Sequence, residues 1–150
     1  MSRVAFVNGR YCELSESLIN VEDRGYQFAD GVYEVFTVVN TKIVDFKPHI
    51  DRLYRSLSEL NIKSPIVKSA YLLHIKNIIK KNLIINGTVY LQITRGVAPR
   101  DFKYKKNMKS SITIIGKIIP DHIFQKPIQD GIKVITTKDI RWGRCDIKSL

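Results

Sequence analysis

The sequence predicts an α+β fold: an antiparallel sheet built from hairpins, two consecutive helices packed on it, and then the first strand of a truncated second domain. Three observations lead there. Asn-Gly and Asn-Thr pairs separate short β-favouring runs, so neighbouring strands are joined by tight turns. Two apolar stripes at helical spacing follow one another directly between residues 48 and 81. After a stretch containing Pro127 and Gly131, residues 132–137 open a fresh β-favouring run with no hairpin partner behind it.

The elements follow in order. Arg3-Val-Ala-Phe-Val7, the turn Asn8-Gly9 and Arg10-Tyr-Cys-Glu-Leu14 make a first hairpin. Residues 15–31, with Gly25, Asp30 and Gly31 and no clean periodicity, read as a loop with room for one helical turn. Tyr33 to Val39 is aromatic and β-branched, Asn40-Thr41 turns it, and Lys42 to Phe46 returns. Pro48 suits the first turn of a helix, and Ile50, Leu53, Tyr54, Leu57 and Leu60 give that helix, to residue 60, one apolar stripe. Ser64-Pro65 reads as N-cap and first residue of a second helix with Val67, Tyr71, Ile75, Ile78 and Ile79 buried; Lys80 and Lys81 suit its C-terminal dipole. Asn86-Gly87 opens a strand from Thr88 to Thr94, and Ser111 to Ile119 is another. The domain boundaries expected are therefore 1–119 for a small N-terminal domain, 120–131 for a linker and 132–150 for the start of the second domain.

Composition narrows the function. In 150 residues, 44% are hydrophobic and 26% charged, which excludes disordered and fibrous classes. No uncharged run approaches the ~18 residues of a membrane span, and MSRVAFVNGR is not an export signal, so a soluble cytoplasmic protein is expected. Cys12 and Cys145 stand far apart in no metal-ligand spacing, so neither a zinc site nor a disulfide framework is expected. The net charge of +11 comes entirely from residues 76–150, with sixteen basic and five acidic side chains, since residues 1–75 hold nine of each. Such a half invites a polyanion. The run Arg100 to Lys109, with Phe102 and Tyr104 between basic residues, resembles a single-stranded nucleic-acid surface in miniature, although a charged loop between strands is the commoner origin of that pattern.

The chemistry-bearing residues are lysines and arginines. Lys148 lies in Arg141-Trp-Gly-Arg-Cys-Asp-Ile-Lys148, where two arginines could lower the pKa of an amine that attacks carbonyls; among sixteen lysines a solvated one is the ordinary reading. A helical-wheel count turns Arg52 away from the apolar stripe and into solvent. Arg95 and Arg100 flank a Gly96–Pro99 loop, where a guanidinium can be held against a carboxylate or simply sit in water. His49, His74 and His122 share no spacing, and no GxSxG, HExxH, Walker or GxGxxG pattern occurs.

Four stretches together are more specific: Glu22-Asp-Arg-Gly-Tyr-Gln-Phe-Ala-Asp-Gly-Val-Tyr-Glu-Val-Phe36, His49-Ile-Asp-Arg-Leu-Tyr54, Thr94-Arg-Gly-Val-Ala-Pro-Arg100 and Asp139-Ile-Arg-Trp-Gly-Arg-Cys-Asp-Ile-Lys-Ser-Leu150. In order and spacing they resemble the fold-type IV pyridoxal-phosphate aminotransferases, and within them the D-amino-acid (D-alanine) aminotransferases. The likeness runs from end to end of the chain and covers about half of that family's protein. It implies a transaminase working through pyridoxal 5'-phosphate on a D-amino acid and a 2-oxo acid, with a homodimer or higher homo-oligomer as its assembly. It also implies roles. Lys148 stands where the family has its Schiff-base lysine, Arg52 where it binds the cofactor phosphate, and Tyr33 and Arg100 where it holds the substrate α-carboxylate. Where D-amino-acid aminotransferases carry a His two residues after that Arg, this chain has Phe102. The family's acidic partner for the pyridine nitrogen and much of its phosphate cup come from the large domain, so the chain alone is expected to be a poor or inactive transaminase. The alternatives are a noncatalytic folded remnant that self-associates, a branched-chain aminotransferase or aminodeoxychorismate lyase on the same scaffold and, last, nucleic-acid binding.

Overall fold

Six strands and four helices form along the chain in a computed structural model that describes residues 3–138. The strands are β1 (Val4–Val7), β2 (Arg10–Glu13), β3 (Gly31–Val39), β4 (Lys42–Ile43), β5 (Gly87–Thr94) and β6 (Ser111–Ile118). The helices are α1 (Arg24–Phe28), α2 (Phe46–Glu59), α3 (Lys68–Lys81) and α4 (Asp121–Asp130). All strand pairs are antiparallel, in the order β2-β1-β6-β5-β3-β4. The long ladders are β3 on β5, from Gly31 opposite Thr94 to Val38 opposite Gly87, and β5 on β6.

Strand alternation sends one set of side chains toward the helices, and the helical stripes meet them there. Phe6, Phe36, Val38, Val89, Leu91, Ile93, Ile112 and Ile114 from the strands pack with Ile50, Leu53 and Leu57 of α2 and Tyr71, Ile75, Ile78 and Ile79 of α3 in one apolar core. Tyr71 is fully buried, and its hydroxyl lies 2.6 Å from Ser64 Oγ, which satisfies a group that burial would otherwise penalise. The opposite face of the central strands carries Tyr33, Val35, Tyr90 and Gln92 in register and is more open. The sheet with two consecutive helices is thus the architecture expected from the sequence.

Boundaries moved for identifiable reasons. β4 stops at Ile43 because Asp45 takes a positive φ of 50° and swings the chain into α2, which begins at Phe46. α3 begins at Lys68, because the Ser64 hydroxyl bonds Ile66 O and the Tyr71 hydroxyl and caps no helical N–H. The segment expected as a linker, 120–131, contains α4, whose Pro127 lies within the helix, next to its last turn. Proline forfeits one N–H bond there, yet Gly131 N still donates to Pro127 O and ends the helix at a φ of 71°. The expected strand Ile132–Thr137 is not formed: these residues are exposed and carry no regular structure. A strand needs a neighbour for its N–H and C=O groups, and no described strand pairs with this one. Among the described residues no helix is long and apolar enough to cross a membrane.

Candidate functional site

β3 is where the candidate site starts, because its alternation places an acid among core residues. Val32, Glu34, Phe36 and Val38 face the helices, and the Glu34 side chain is only 2% exposed. A buried carboxylate requires partners, and α2 supplies two from one face at i, i+3 spacing. Arg52 Nε donates to Glu34 Oε1 at 2.7 Å and Arg52 Nη2 to Oε2 at 2.6 Å, a forked ion pair; His49 Nδ1 lies 2.7 Å from Oε2 and must carry the hydrogen that Glu34 accepts. Burial alone would raise the Glu34 pKa, but the hydrogen bonds from Arg52 and His49 outweigh it and hold the carboxyl below its ordinary range. The bond to Glu34 in turn raises the Arg52 pKa.

The Arg52 side chain is 56% exposed, as the wheel predicted, but it is not idle in solvent. Glu34 takes the Nε and Nη2 edge, and among the described residues nothing accepts from Nη1. Two N–H donors on a fixed, charged group remain for an external anion, and that donor set fits a phosphate. Tyr33 lies close enough to act on Arg52 electrostatically, although strand alternation sends it to the other face. β4 pairs only with Val38 and Val39, which leaves β3 a free edge at residues 33–34. Tyr33 is exposed, its ring stacks on Tyr90 at 5.6 Å, and its hydroxyl has no hydrogen bond among the described residues. Beside it a cleft of about 310 Å³ is lined by Ala29, Gly31, Tyr33, Tyr90 and Gln92.

Arg100 sits on the loop after β5, and that loop is held by a second buried ion cluster. Asp30 accepts from two guanidiniums: Arg24 Nε to Oδ2 at 2.8 Å, Arg95 Nε to Oδ2 at 2.8 Å and Arg95 Nη2 to Oδ1 at 3.0 Å. Arg24 and Arg95 are both buried, and Arg95 also donates to Leu60 O and Asn61 O at the end of α2. Burial opposes ionisation of Asp30, and the bonds from Arg95 and Arg24 overcome it, so its pKa too is lowered. Arg100 itself is exposed, with its guanidinium 5.0 Å above the Phe28 ring and 5.8 Å from that of Phe102, and no hydrogen bond joins it to a described residue.

The expected site residues therefore stand in two groups. Arg52 of α2 is paired to Glu34 of β3, and Tyr33 is the preceding residue of that strand, on its other face; Arg100 lies on the separate loop with no hydrogen bond to either, and Lys148 falls outside the described residues. No role was assigned from the sequence to Glu34, His49, Asp30 or Arg24. Glu34 was discoverable: it is the one acid at the buried parity of an otherwise apolar strand.

The sequence matches the amino-transferase class IV family over residues 31–150, and the chain belongs to that family. It is 41% identical over 143 residues to a D-alanine aminotransferase of Bacillus licheniformis, covering 95% of this chain and 50% of that one. It is 33% identical over 145 residues to a D-alanine aminotransferase of Staphylococcus epidermidis, covering 97% and 51%. The chain thus spans about half the length of the relatives it matches. Among solved structures, a branched-chain amino acid aminotransferase from Escherichia coli superposes with a TM-score of 0.73 at 13% identity, over 79% of this chain and 42% of that one. A 4-amino-4-deoxychorismate lyase from Pseudomonas aeruginosa gives 0.60 at 20% identity, over 81% and 43%. At such identities the structural likeness establishes the shared fold.

Proposed function

We propose that the protein is the N-terminal portion of a pyridoxal-phosphate-dependent transaminase that exchanges an amino group between a D-amino acid of the D-alanine kind and a 2-oxo acid. The observation that carries this reading is the 33–41% identity to D-alanine aminotransferases along nearly the whole chain. Pyridoxal phosphate, joined to a substrate amine, withdraws electrons from Cα and so acidifies its hydrogen; that is the chemistry the group supplies when bound. The chain's residues are assigned the remaining tasks. Arg52 holds the phosphate through the Nη1 edge that Glu34 leaves free. Lys148 Nζ would hold the group and would carry the proton at the substrate's Cα. The Tyr33 hydroxyl and the Arg100 guanidinium hold the α-carboxylate, with Phe102 unable to donate where the D-specific relatives carry His. Residues 1–119 form the small domain in this reading, 120–131 the connector and 132–150 the start of the large domain.

The test is to incubate the purified chain with pyridoxal phosphate, reduce with borohydride and map the modified lysine by mass spectrometry. Labelling confined to Lys148, and lost in Lys148→Ala, is the expected result. Scattered labelling over exposed lysines would instead favour the second reading, a noncatalytic homodimer joined through the open sheet face, where Tyr33 and Val35 are exposed.

A further inference from the structure

The loop 100–104 is exposed throughout and has no regular structure, yet its tethers converge on one carboxylate. Arg24 Nη1 donates to Asp101 O at 2.6 Å, next to Arg100. The Phe28 ring is flanked by the guanidiniums of Arg24, at 4.6 Å, and Arg100, at 5.0 Å, and meets the Phe102 ring at 5.8 Å. Tyr104 lies on Arg95, with the guanidinium 3.8 Å from the ring centroid. Arg24 and Arg95 are themselves oriented by Asp30, which accepts from both. The backbone repeats the pattern: Arg95 N donates to Asp30 O, and Arg24 N to Gly96 O. Asp30 also directly precedes β3, which carries Tyr33.

We propose that Asp30, acting through Arg24 and Arg95, is a positioning residue for substrate recognition: it fixes the loop that aims Arg100 at the α-carboxylate and ties that loop to the base of the strand bearing Tyr33. The inference rests on the carboxylate role assigned to Arg100 above. Two guanidiniums that share one acid keep a single net positive charge between them. Removing the acid leaves two like charges buried side by side, and they separate, taking Asp101 and Tyr104 with them. A guanidinium on a released loop still attracts carboxylates but no longer meets one in a fixed fork.

The experiment compares the full chain with Asp30→Asn and Arg24→Lys. Hydrogen exchange is read over residues 96–104, and Arg100 labelling by an arginine-directed dicarbonyl is measured by mass spectrometry with and without pyruvate as the carboxylate probe. In the unaltered chain pyruvate protects Arg100. In Asp30→Asn exchange across the loop accelerates and protection falls about tenfold or more, while the circular dichroism of the sheet is retained. Arg24→Lys, which keeps the charge but has no fork to bridge Asp30 and Asp101 O, releases residues 100–104 and leaves 96–98 protected; it decides the matter if Asp30→Asn fails to fold. Unchanged exchange in the variants overturns the inference, and so does faster exchange with protection intact, which would make the cluster purely structural. Absence of pyruvate protection in the unaltered chain sinks the carboxylate role of Arg100, and with it the inference.

Discussion

Glu34 is buried and Asp30 partly so, and hydrogen bonds from Arg52 and His49 on the first and from Arg95 and Arg24 on the second hold both below the ordinary carboxylate pKa. The sign of the consequence follows from linkage. A carboxyl whose pKa is lower folded than unfolded contributes stability above its unfolded pKa and loses it as the pH falls through the folded value. The melting temperature is therefore expected to decline as the pH drops below about 4, the ordinary carboxylate range. Glu34→Gln should flatten part of that decline while lowering the melting temperature at pH 7; an unchanged pH profile in this variant would show that Glu34 is not ionised in the fold. The Glu34 pairing also shows where sequence reasoning stopped. The wheel correctly placed Arg52 at the surface, but a wheel describes one helix alone, and the partner that gives Arg52 its geometry sits on a strand 18 residues away.

At the scale of elements, hairpins and helices were legible because their signals are local. Asn8-Gly9 turns β1 into β2 with positive φ at both residues, and the stripes of α2 and α3 are the core. The segment 22–30 was legible as a loop with one helical turn, which α1 supplies, but what fixes it was not, because those contacts come from afar: Thr94 Oγ1 donates to Asp23 Oδ2, and Ala98 N to Glu22 O. α4 was missed because Pro127 was weighed as a breaker, although a ten-residue helix tolerates it. Two substitutions test the packing. Ile75→Ala, at a fully buried α3 position, is expected to cost about 2–5 kcal/mol in denaturant unfolding, whereas exposed Leu73→Ala should stay within about 0.5 kcal/mol. Gly96→Ala tests the loop: at a φ of 103° a Cβ would also run into Lys109 O, so a loss of more than about 1 kcal/mol is expected.

For the whole molecule, the end-to-end resemblance carried the family, and the hairpins with two consecutive helical stripes carried the α+β architecture, while the Ile132–Thr137 strand shows the limit of local propensity. That run has β-favouring residues but no neighbour among the described strands. The homodimer reading belongs to this scale as well. Sedimentation velocity over a range of protein concentrations should show a monomer–dimer shift that Val35→Lys, on the open face of β3, moves toward monomer. A single concentration-independent monomer in both proteins would remove that reading.

The strand order has a further consequence, for how the chain is made. Within the sheet, the hairpin β1–β2 bonds to the remaining strands only through β6, which lies about a hundred residues later. On the ribosome the first hairpin must therefore wait, its second edge unpaired, until residue 118 has emerged, while β3 and β5 can already pair. Such distant closure predicts slow folding and a nascent chain with an open strand edge until β6 has been made. Proteolysis of arrested nascent chains should find residues 4–13 cleavable before β6 leaves the exit tunnel and protected after it.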